Sequence, residues 1–285
     1  MILRDVLPSP ALREFVRCYR IVHLEFTKAD TIPIKAYPPK PEQCLHFFLR
    51  DFYATQGAGE AIKQQPDILL AGQRTALVSQ LTGPDFIDVQ IVFQPTAVYR
   101  LTGIPAYELT DQHLDATFLF PKRIQQTLAQ LQAAGTYTEA LTIVENFALE
   151  LARQVRKDKQ RLDAVCRHMI QEGGRRSMDE YADEACFSPK QFTRKFFERT
   201  GVNPKTYARI IRFNRAFNLK NQYPQTDWLS IAIDCGYCDY QHLVKDYKEF
   251  TGLVPNELHR LESQSPERIL GLTDTLYRER VEGIV

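Results

Sequence analysis

The chain has 285 residues, of which 44% are hydrophobic and 25% are charged, enough for two ordinary domains that each bury a core. The formal net charge is only +1, which excludes a uniformly basic or acidic protein and indicates no partner. No apolar run approaches the ~18 residues of a transmembrane helix, and the N-terminus lacks a signal-peptide pattern. We therefore expect no membrane association.

The six cysteines do not follow the spacing of zinc sites. Cys235 and Cys238 form a CxxC pattern, but Gly236 and Tyr237 lie between them at a predicted turn. We expect small residues in a tight turn there, rather than a redox or metal-binding pair. This cysteine usage favours the reducing cytoplasm as the location.

Residues 1 to about 118 are predicted to be rich in β-strands. Short apolar runs at 45–49, 68–71 and 89–93 are separated by Pro, Gly and Asp. Seven prolines between positions 33 and 95 argue against long helices. The spacing of the runs suits a barrel or a sandwich.

The histidines of this region do not predict a metal site. His23, His46 and His113 lack the H-x-H spacing expected of a metal-binding barrel, so we predict no metal and no cofactor. Glu42 and His46 could bind a ligand at the mouth of a barrel. A buried strand with a hydrogen-bonded histidine is the favoured interpretation.

A helical hairpin is predicted at about 121–155. Apolar residues recur at steps of three and four from Pro121 and again from Thr138, and Gly135 lies between the two stripes. With this hairpin the predicted N-terminal domain spans 1–155. The apolar stripes either pack on the β-structure or form a self-association surface for a homodimer, and the sequence favours neither.

The C-terminal part begins with a helix-turn-helix pattern. Ser177 and Glu180 fit the capping box of a short helix. Ser188 is a good N-cap for a second helix, Pro189 suits its first position, and Gly201 ends it. Two short helices joined by a tight turn describe a helix-turn-helix unit.

The same plan recurs 51 positions later, where Asp227 and Asp239 are the predicted N-caps and Gly252 ends the second helix. In each unit one pair of apolar residues, four positions apart, is predicted to face the core; these pairs are Phe192 with Phe196 and Leu243 with Tyr247. The opposite faces carry Lys190, Gln191, Thr193, Arg194 and Lys195 in the first unit, and Tyr240, Gln241, His242, Val244 and Lys245 in the second.

One long helix is predicted between the units, starting at Asn203 and Pro204. From Lys190 to Lys220 there are nine Lys or Arg residues against one acid, Glu198. Local positive charge on the second helix of a duplicated helix-turn-helix indicates double-stranded DNA as the partner. Two such units about one DNA turn apart (~34 Å) can enter successive major grooves.

The predicted fold class is α+β with two domains: an N-terminal β-barrel or cupin-like domain that carries the helical hairpin, and an all-α double helix-turn-helix domain at 160–261. A C-terminal extension follows at 262–285. Apolar residues at Ile269, Leu272, Leu276 and Val281 hint at a helix in this extension.

The sequence resembles the arabinose-regulator (AraC/XylS) family of bacterial transcription factors over about 162–258. The matching positions are Gly236, Tyr237, Leu243, Tyr247, Thr251, Gly252 and Pro255 in the second unit, Phe187, Phe192, Phe196, Gly201 and Pro204 in the first, and Tyr207, Arg212, Ala216 and Leu219 in the connecting helix.

This resemblance implies a sequence-specific transcriptional regulator. It implies base contacts from the exposed residues of both second helices, with Arg194 and Lys245 at corresponding places. It further implies contact with RNA polymerase, as an activator would make, and an N-terminal domain that binds a small-molecule effector and dimerises through its helices. The identity of the effector and the residues that bind it are not predicted.

Two positions depart from the family pattern. Cys186 stands where glycine is usual, so the first turn is expected to be strained or differently shaped. Lys245 stands where arginine is frequent, and its ammonium cannot form the planar, two-point contact that a guanidinium makes with guanine. Because Asp246 and Glu249 also lie nearby, we expect the first unit to dominate DNA affinity.

Two other functions were weighed. A DNA-tethered enzyme, for example one that transfers alkyl groups during repair, needs an activated cysteine or a cysteine cluster near the N-terminus, where only Cys18 and Cys44 occur. A ligand-binding protein whose basic helices are merely solvated is the third possibility. The chain is expected not to be an enzyme.

Overall fold

The computed structural model describes residues 1–27, 31–119 and 121–272. In its N-terminal part, antiparallel strands form two sheets. The larger sheet has the order β1-β2-β9-β4-β7-β10 and the smaller one β3-β8-β5-β6. The strands are β1 (Ile2–Val6), β2 (Val16–Glu25), β3 (Lys35–Tyr37), β4 (Cys44–Arg50), β5 (Tyr53–Gln56), β6 (Lys63–Gln64), β7 (Ile68–Ala71), β8 (Val78–Thr82), β9 (Asp85–Phe93) and β10 (His113–Asp115).

The two sheets do not close into one continuous barrel, so the arrangement is barrel-like only in a loose sense. Strands β9 and β4 form the centre of the larger sheet, and eight of the nine residues of β9 are buried. Side chains of β9 alternate between the two faces of the sheet. Val89, Ile91 and Phe93 belong to the core under the helices, whereas Asp88 and Gln90 face the opposite side.

Helices cover one side of the larger sheet: α1 (Ala97–Thr102), α2 (Pro121–Ala133) and α3 (Tyr137–Ala152). Thr136 caps α3, since its hydroxyl accepts a hydrogen bond from the Glu139 amide. Ile124 and Val144 are fully buried against the sheet, and the Phe147 ring meets the Phe47 ring edge-on at 5.9 Å. The inner face of this helical hairpin therefore packs on the β-structure.

The C-terminal part is helical, from α4 to α11. Its helices are α4 (Arg161–Gln171), α5 (Met178–Glu184), α6 (Pro189–Thr200), α7 (Pro204–Gln222), α8 (Trp228–Asp234), α9 (Tyr240–Thr251), α10 (Pro255–Glu262) and α11 (Pro266–Ile269). Of the C-terminal extension, residues 273–285 lie outside the described part, including Leu276 and Val281. In the described ranges, no helix combines the length and the apolar character needed to cross a bilayer.

Two separate cores hold these helices, and α7 contributes to both. Tyr207 and Ile211 join the core of α4, α5 and α6, whereas Phe213 and Phe217 join the core of α8, α9 and α10. The Phe213 ring lies 4.7 Å from the Tyr247 ring and is fully buried.

We predict that Phe213→Ala lowers the free energy of unfolding by roughly 3–5 kcal/mol, because a large buried ring leaves a cavity that the core cannot refill. Chemical denaturation followed by circular dichroism measures this. Phe118→Ala is the matched control, since Phe118 is 79% exposed and its loss changes stability by less than about 0.5 kcal/mol. Equal effects of the two substitutions would contradict the role of Phe213 in the core.

Candidate nucleic-acid interface

The first helix-turn-helix unit, α5 and α6, is fixed by reciprocal caps. The Ser177 hydroxyl accepts a hydrogen bond from the Glu180 amide at 3.2 Å, and the Glu180 carboxylate accepts one from the Ser177 amide at 2.8 Å. Ser188 and Gln191 repeat this exchange at the start of α6. Because both helices start at defined residues, the exposed side of α6 is held at a fixed angle to α5.

The second unit, α8 and α9, uses carboxylates as caps. Asp227 accepts hydrogen bonds from the amides of Leu229 and Ser230, each at 3.0 Å. Asp239 accepts one from the His242 amide at 2.9 Å. A carboxylate at a helix N-terminus also interacts favourably with the helix dipole. Asp227 and Asp239 therefore act as N-caps, as the sequence predicted.

The turn of each unit requires a left-handed residue. Gly236 has φ +80° and Cys186 has φ +56°. Glycine adopts this conformation without penalty, whereas an L-residue with a Cβ pays about 1–2 kcal/mol. Cys186 therefore keeps the geometry of the usual glycine and carries strain, in agreement with the expectation from the sequence.

The paired aromatic and aliphatic residues face inward. Phe192, Phe196, Leu243 and Tyr247 are all buried, and Phe196 meets the Tyr207 ring of α7 at 5.4 Å. This leaves the opposite side of each second helix to solvent. On that side Lys190, Gln191, Thr193, Arg194, Gln241, His242 and Lys245 are exposed, and Lys195, Tyr240 and Val244 are half-buried.

Some of these polar side chains are already engaged within their own helix. Thr193 donates to the Pro189 carbonyl at 3.0 Å, His242 lies 2.9 Å from the Asp239 carboxylate, and Gln191 belongs to the α6 cap. Arg194 and Lys245 make no hydrogen bond or ion pair with any described residue. These two cations are therefore free to meet an external partner.

The structure divides the nine cations of 190–220 into two classes. Four of them are held within the protein, which a count along the sequence does not show. Arg199 pairs with Asp163 at 2.7 Å in a buried site, Arg212 donates to the Gly174 carbonyl, and Lys220 donates to two carbonyls near the end of α7. Arg209 is the fourth.

Arg209 lies between two acids of α9. Its guanidinium is 2.7 Å from Asp246 and 2.6 Å from Glu249, and hydrogen bonds with Glu249 and then Asp246 raise its pKa. Asp246 also accepts a hydrogen bond from Tyr237. Both acids thus share one cation of α7, so their negative charge is partly offset, which their positions in the sequence did not show.

The N-terminal part contacts the first unit directly. The Tyr107 ring stacks on Phe197 of α6 at 5.2 Å, and the Tyr99 hydroxyl donates to Glu198 at 2.9 Å. Phe197 comes four residues after Thr193, so Tyr107 sits at the C-terminal end of the exposed side of α6. These two contacts connect the N-terminal part to α6.

A cavity of about 80 Å³ lies between the two sheets. Glu42 and His46 both line it. His46 is also hydrogen-bonded, with its Nδ1 2.9 Å from the Asp88 carboxylate, which is the environment that the sequence favoured for it. Glu42 accepts a hydrogen bond from the Tyr37 hydroxyl at 2.9 Å, and burial followed by the charge of Glu42 raises the pKa of Tyr37 well above its usual value.

One group in the described ranges could hold a cation. It consists of His23, Glu25 and Asp85, whose ligand atoms lie within 4.8 Å of one another. Strand pairing places Glu25 opposite Asp85, so histidine spacing alone could not reveal it. Arg50 already pairs with Asp85 at 3.1 Å, and His23 Nδ1 is 2.6 Å from the Tyr137 hydroxyl.

The cysteines near the N-terminus offer no support for a DNA-tethered enzyme. Cys18 and Cys44 are both buried. Burial and the charge of Glu42 raise the pKa of the Cys44 thiol well above its usual value, so its reactive thiolate form is suppressed.

Two family models match the chain. A helix-turn-helix domain matches residues 181–260. This range covers the whole of the second unit and most of the first. A domain of unknown function, DUF6597, matches residues 4–115. The helix-turn-helix match lies within the part of the sequence that resembles the AraC/XylS family.

Solved structures resemble this chain at low sequence identity. ToxT from Vibrio cholerae is 12% identical with a TM-score of 0.46, over 85% of this chain and 98% of that one. The AraC-like transcriptional activator CuxR is 17% identical with a TM-score of 0.27, over 76% and 88%. At these TM-scores the likeness carries no argument about function. No curated protein matches the chain.

We predict that Cys186→Gly raises the free energy of unfolding of this protein by about 1 kcal/mol, because it relieves the left-handed strain. Gly236→Ala is the counterpart and lowers stability by about 1 kcal/mol or more, since its Cβ would also approach Arg175 Cγ at 3.2 Å. Chemical denaturation measures both. Destabilisation by Cys186→Gly would show that the thiol stabilises the turn by more than the strain costs.

Proposed function

We propose that this regulator binds double-stranded DNA through the exposed sides of α6 and α9, which enter successive major grooves, and that a small molecule in the N-terminal cavity controls this binding. The observation that carries the proposal is the pair Arg194 and Lys245. They occupy equivalent positions of duplicated second helices, and neither makes a hydrogen bond or an ion pair with a described residue.

The chemistry of Arg194 suits base recognition. An arginine on the second helix of a helix-turn-helix can donate two hydrogen bonds to guanine O6 and N7. Lys190, Gln191, Thr193 and Lys195 surround it on α6, where they would contact phosphates or neighbouring bases. Since Arg194 is exposed and unpaired, it does not have to break an internal contact in order to bind.

The second helix, α9, contributes in a different way. Lys245 supplies a point charge, which favours phosphate over the two-point recognition of guanine. Tyr240, Gln241 and His242 lie at its N-terminal end, where a recognition helix contacts base edges. The first unit therefore supplies the greater part of the sequence preference.

The spacing of the two units depends on α7. Its 19 residues extend about 28 Å at 1.5 Å per residue, close to one turn of DNA. Because each end of α7 is part of one core, bending the helix would disturb both units. This supports simultaneous binding on one face of the duplex by a single chain.

The cavity between the sheets supports control by a small effector. It is lined by both charged and aromatic side chains, the mixture that orients a small ligand. The contacts of Tyr99 and Tyr107 with α6 supply a route by which a change in the N-terminal part reaches the first unit.

Two further partners belong to the proposal. A homodimer would form through the outer face of 121–155, whose inner face is covered by the β-structure. A polar groove lies between α2 and α3, with Arg123, Gln130 and Glu150 among its lining residues. By resemblance to the family, a chain bound to DNA in the cytoplasm would contact RNA polymerase as an activator.

We predict that Arg194→Ala weakens binding to the chain's own operator by ~1–3 kcal/mol and relaxes the preference at one base position. Fluorescence anisotropy with a set of single-base operator variants measures both effects. A uniform loss over all the variants would instead assign Arg194 to a phosphate.

The matched control is Arg153→Ala. It removes the same charge from an exposed position at the end of α3, away from both second helices. Operator affinity should then change by less than about two-fold at physiological salt. Wild-type affinity after Arg194→Ala would contradict the proposed interface.

A further inference from the structure

The segment that follows α10 returns to the N-terminal part. After α10, residues 263–265 turn back, and α11 places Pro266 and Glu267 in the wall of the cavity. Leu270 and Leu272 then pack on a buried cluster of the β-structure formed by Leu24, Phe48, Tyr53, Leu69 and Phe86. The segment 266–272, here called the C-terminal plug, thus closes one side of the cavity.

Glu267 is the chemically unusual residue of the plug. It is 3% exposed, and its Oε1 pairs with Lys35 Nζ. Its other oxygen, Oε2, is buried and has no hydrogen-bond partner among the described residues. A buried carboxylate that is only half satisfied costs free energy relative to solvent. The contact between Glu267 and Lys35 is therefore a weak point at which the plug can open.

The cavity also holds a cation without a carboxylate partner. Arg74 lines it and contacts the His113 ring. Burial and the charge of Arg74 lower the pKa of His113 to about 3, so this histidine is neutral and does not repel or neutralise an anion. In the described ranges, no carboxylate pairs with Arg74. By contrast, Arg20 is already paired with Asp5 and Glu42.

We propose that the Glu267 carboxylate occupies the position beside Lys35 that the carboxylate of an acidic effector takes when the effector binds. The effector carboxylate displaces Glu267 from Lys35, gains Arg74 as a second cation, and releases the plug. This inference rests on the proposed effector cavity. It adds the chemical class of the effector, a small organic acid, and the group of this chain with which that acid competes.

Release of the plug has a consequence for DNA binding. Arg268, inside the plug, donates hydrogen bonds to the carbonyl and the side-chain oxygen of Asn221 at 3.3 and 2.9 Å. Asn221 lies in the last turn of α7, beside the second unit. One seven-residue segment therefore connects the cavity to the helix that spaces the two units, and opening it removes one of the contacts that hold the second unit to the N-terminal part. The Leu77 amide still donates to the Phe250 carbonyl of α9 at 2.8 Å.

The cavity volume sets the size of the effector while the plug is closed. About 80 Å³ holds a few water molecules or a very short acid. A longer acid needs the space that the plug occupies, since Leu270 and Leu272 cover the apolar cluster next to the cavity. We expect affinity to rise with chain length until the tail fills the space left by these two leucines.

The test uses the full chain and the homologous series acetate, butyrate and octanoate, with the matched alcohols as uncharged probes. Calorimetry measures affinity for the wild type, for Glu267→Gln, which keeps the shape and removes the charge, and for Lys35→Met. Glu60→Gln is the control, because it removes one carboxylate from an exposed position that does not line the cavity. Hydrogen exchange of 264–272 reports opening of the plug.

We expect octanoate to bind Glu267→Gln at least about five-fold more tightly than wild type, because the internal competitor is removed. Lys35→Met should lose this binding, and Glu60→Gln should match wild type. Octanoate should accelerate exchange of 264–272 in wild type, and octanol should not.

The proposal is overturned if no acid of the series binds either protein, if Glu267→Gln binds octanoate no more tightly than wild type, or if octanol acts equally. The comparison with Glu267→Gln stands even if Lys35→Met fails to fold.

None of these measurements contains DNA, so they test the plug separately from the proposed function. A chain that responds to octanoate and does not bind its operator would contradict the proposed function alone, whereas the reverse result would contradict the plug alone.

Discussion

The arrangement of the DNA-binding units depends on one helix that belongs to two cores. Tyr207 and Ile211 of α7 complete the first core, and Phe213 and Phe217 complete the second. Aromatic packing of this kind is specific in geometry as well as favourable in free energy. Because neither core is complete without α7, the two second helices cannot reorient independently, and their separation is determined by the length of a single helix.

Some charged groups around α7 form ion pairs within the protein, and others remain available to DNA. Arg199 and Asp163 form a buried pair that also accepts a hydrogen bond from Thr96 of the N-terminal part at 2.8 Å. Arg209 pairs with two acids of α9. Removing one member of a buried pair leaves an uncompensated charge, so these cations maintain the fold and the contact between the two parts. Only the cations that remain, such as Arg194 and Lys245, are available to DNA.

Local signals in the sequence predicted the helix-turn-helix units well. The caps at Ser177, Ser188, Asp227 and Asp239 and the paired core residues depend only on neighbours three or four positions away, so they are visible in one dimension. The cavity, the plug with Glu267, and the internal partners of Arg199 and Arg209 depend on groups 36 to 232 positions apart. Strand register and tertiary packing determine these contacts, and no short-range pattern encodes them.

The central claim is that α6 and α9 of one chain occupy successive major grooves on one face of a duplex. Hydroxyl-radical footprinting of the full chain on its operator tests this most directly. The account predicts two protected windows whose centres lie about 10 bp apart on the same face. A single window, or two windows on opposite faces of the duplex, would contradict it.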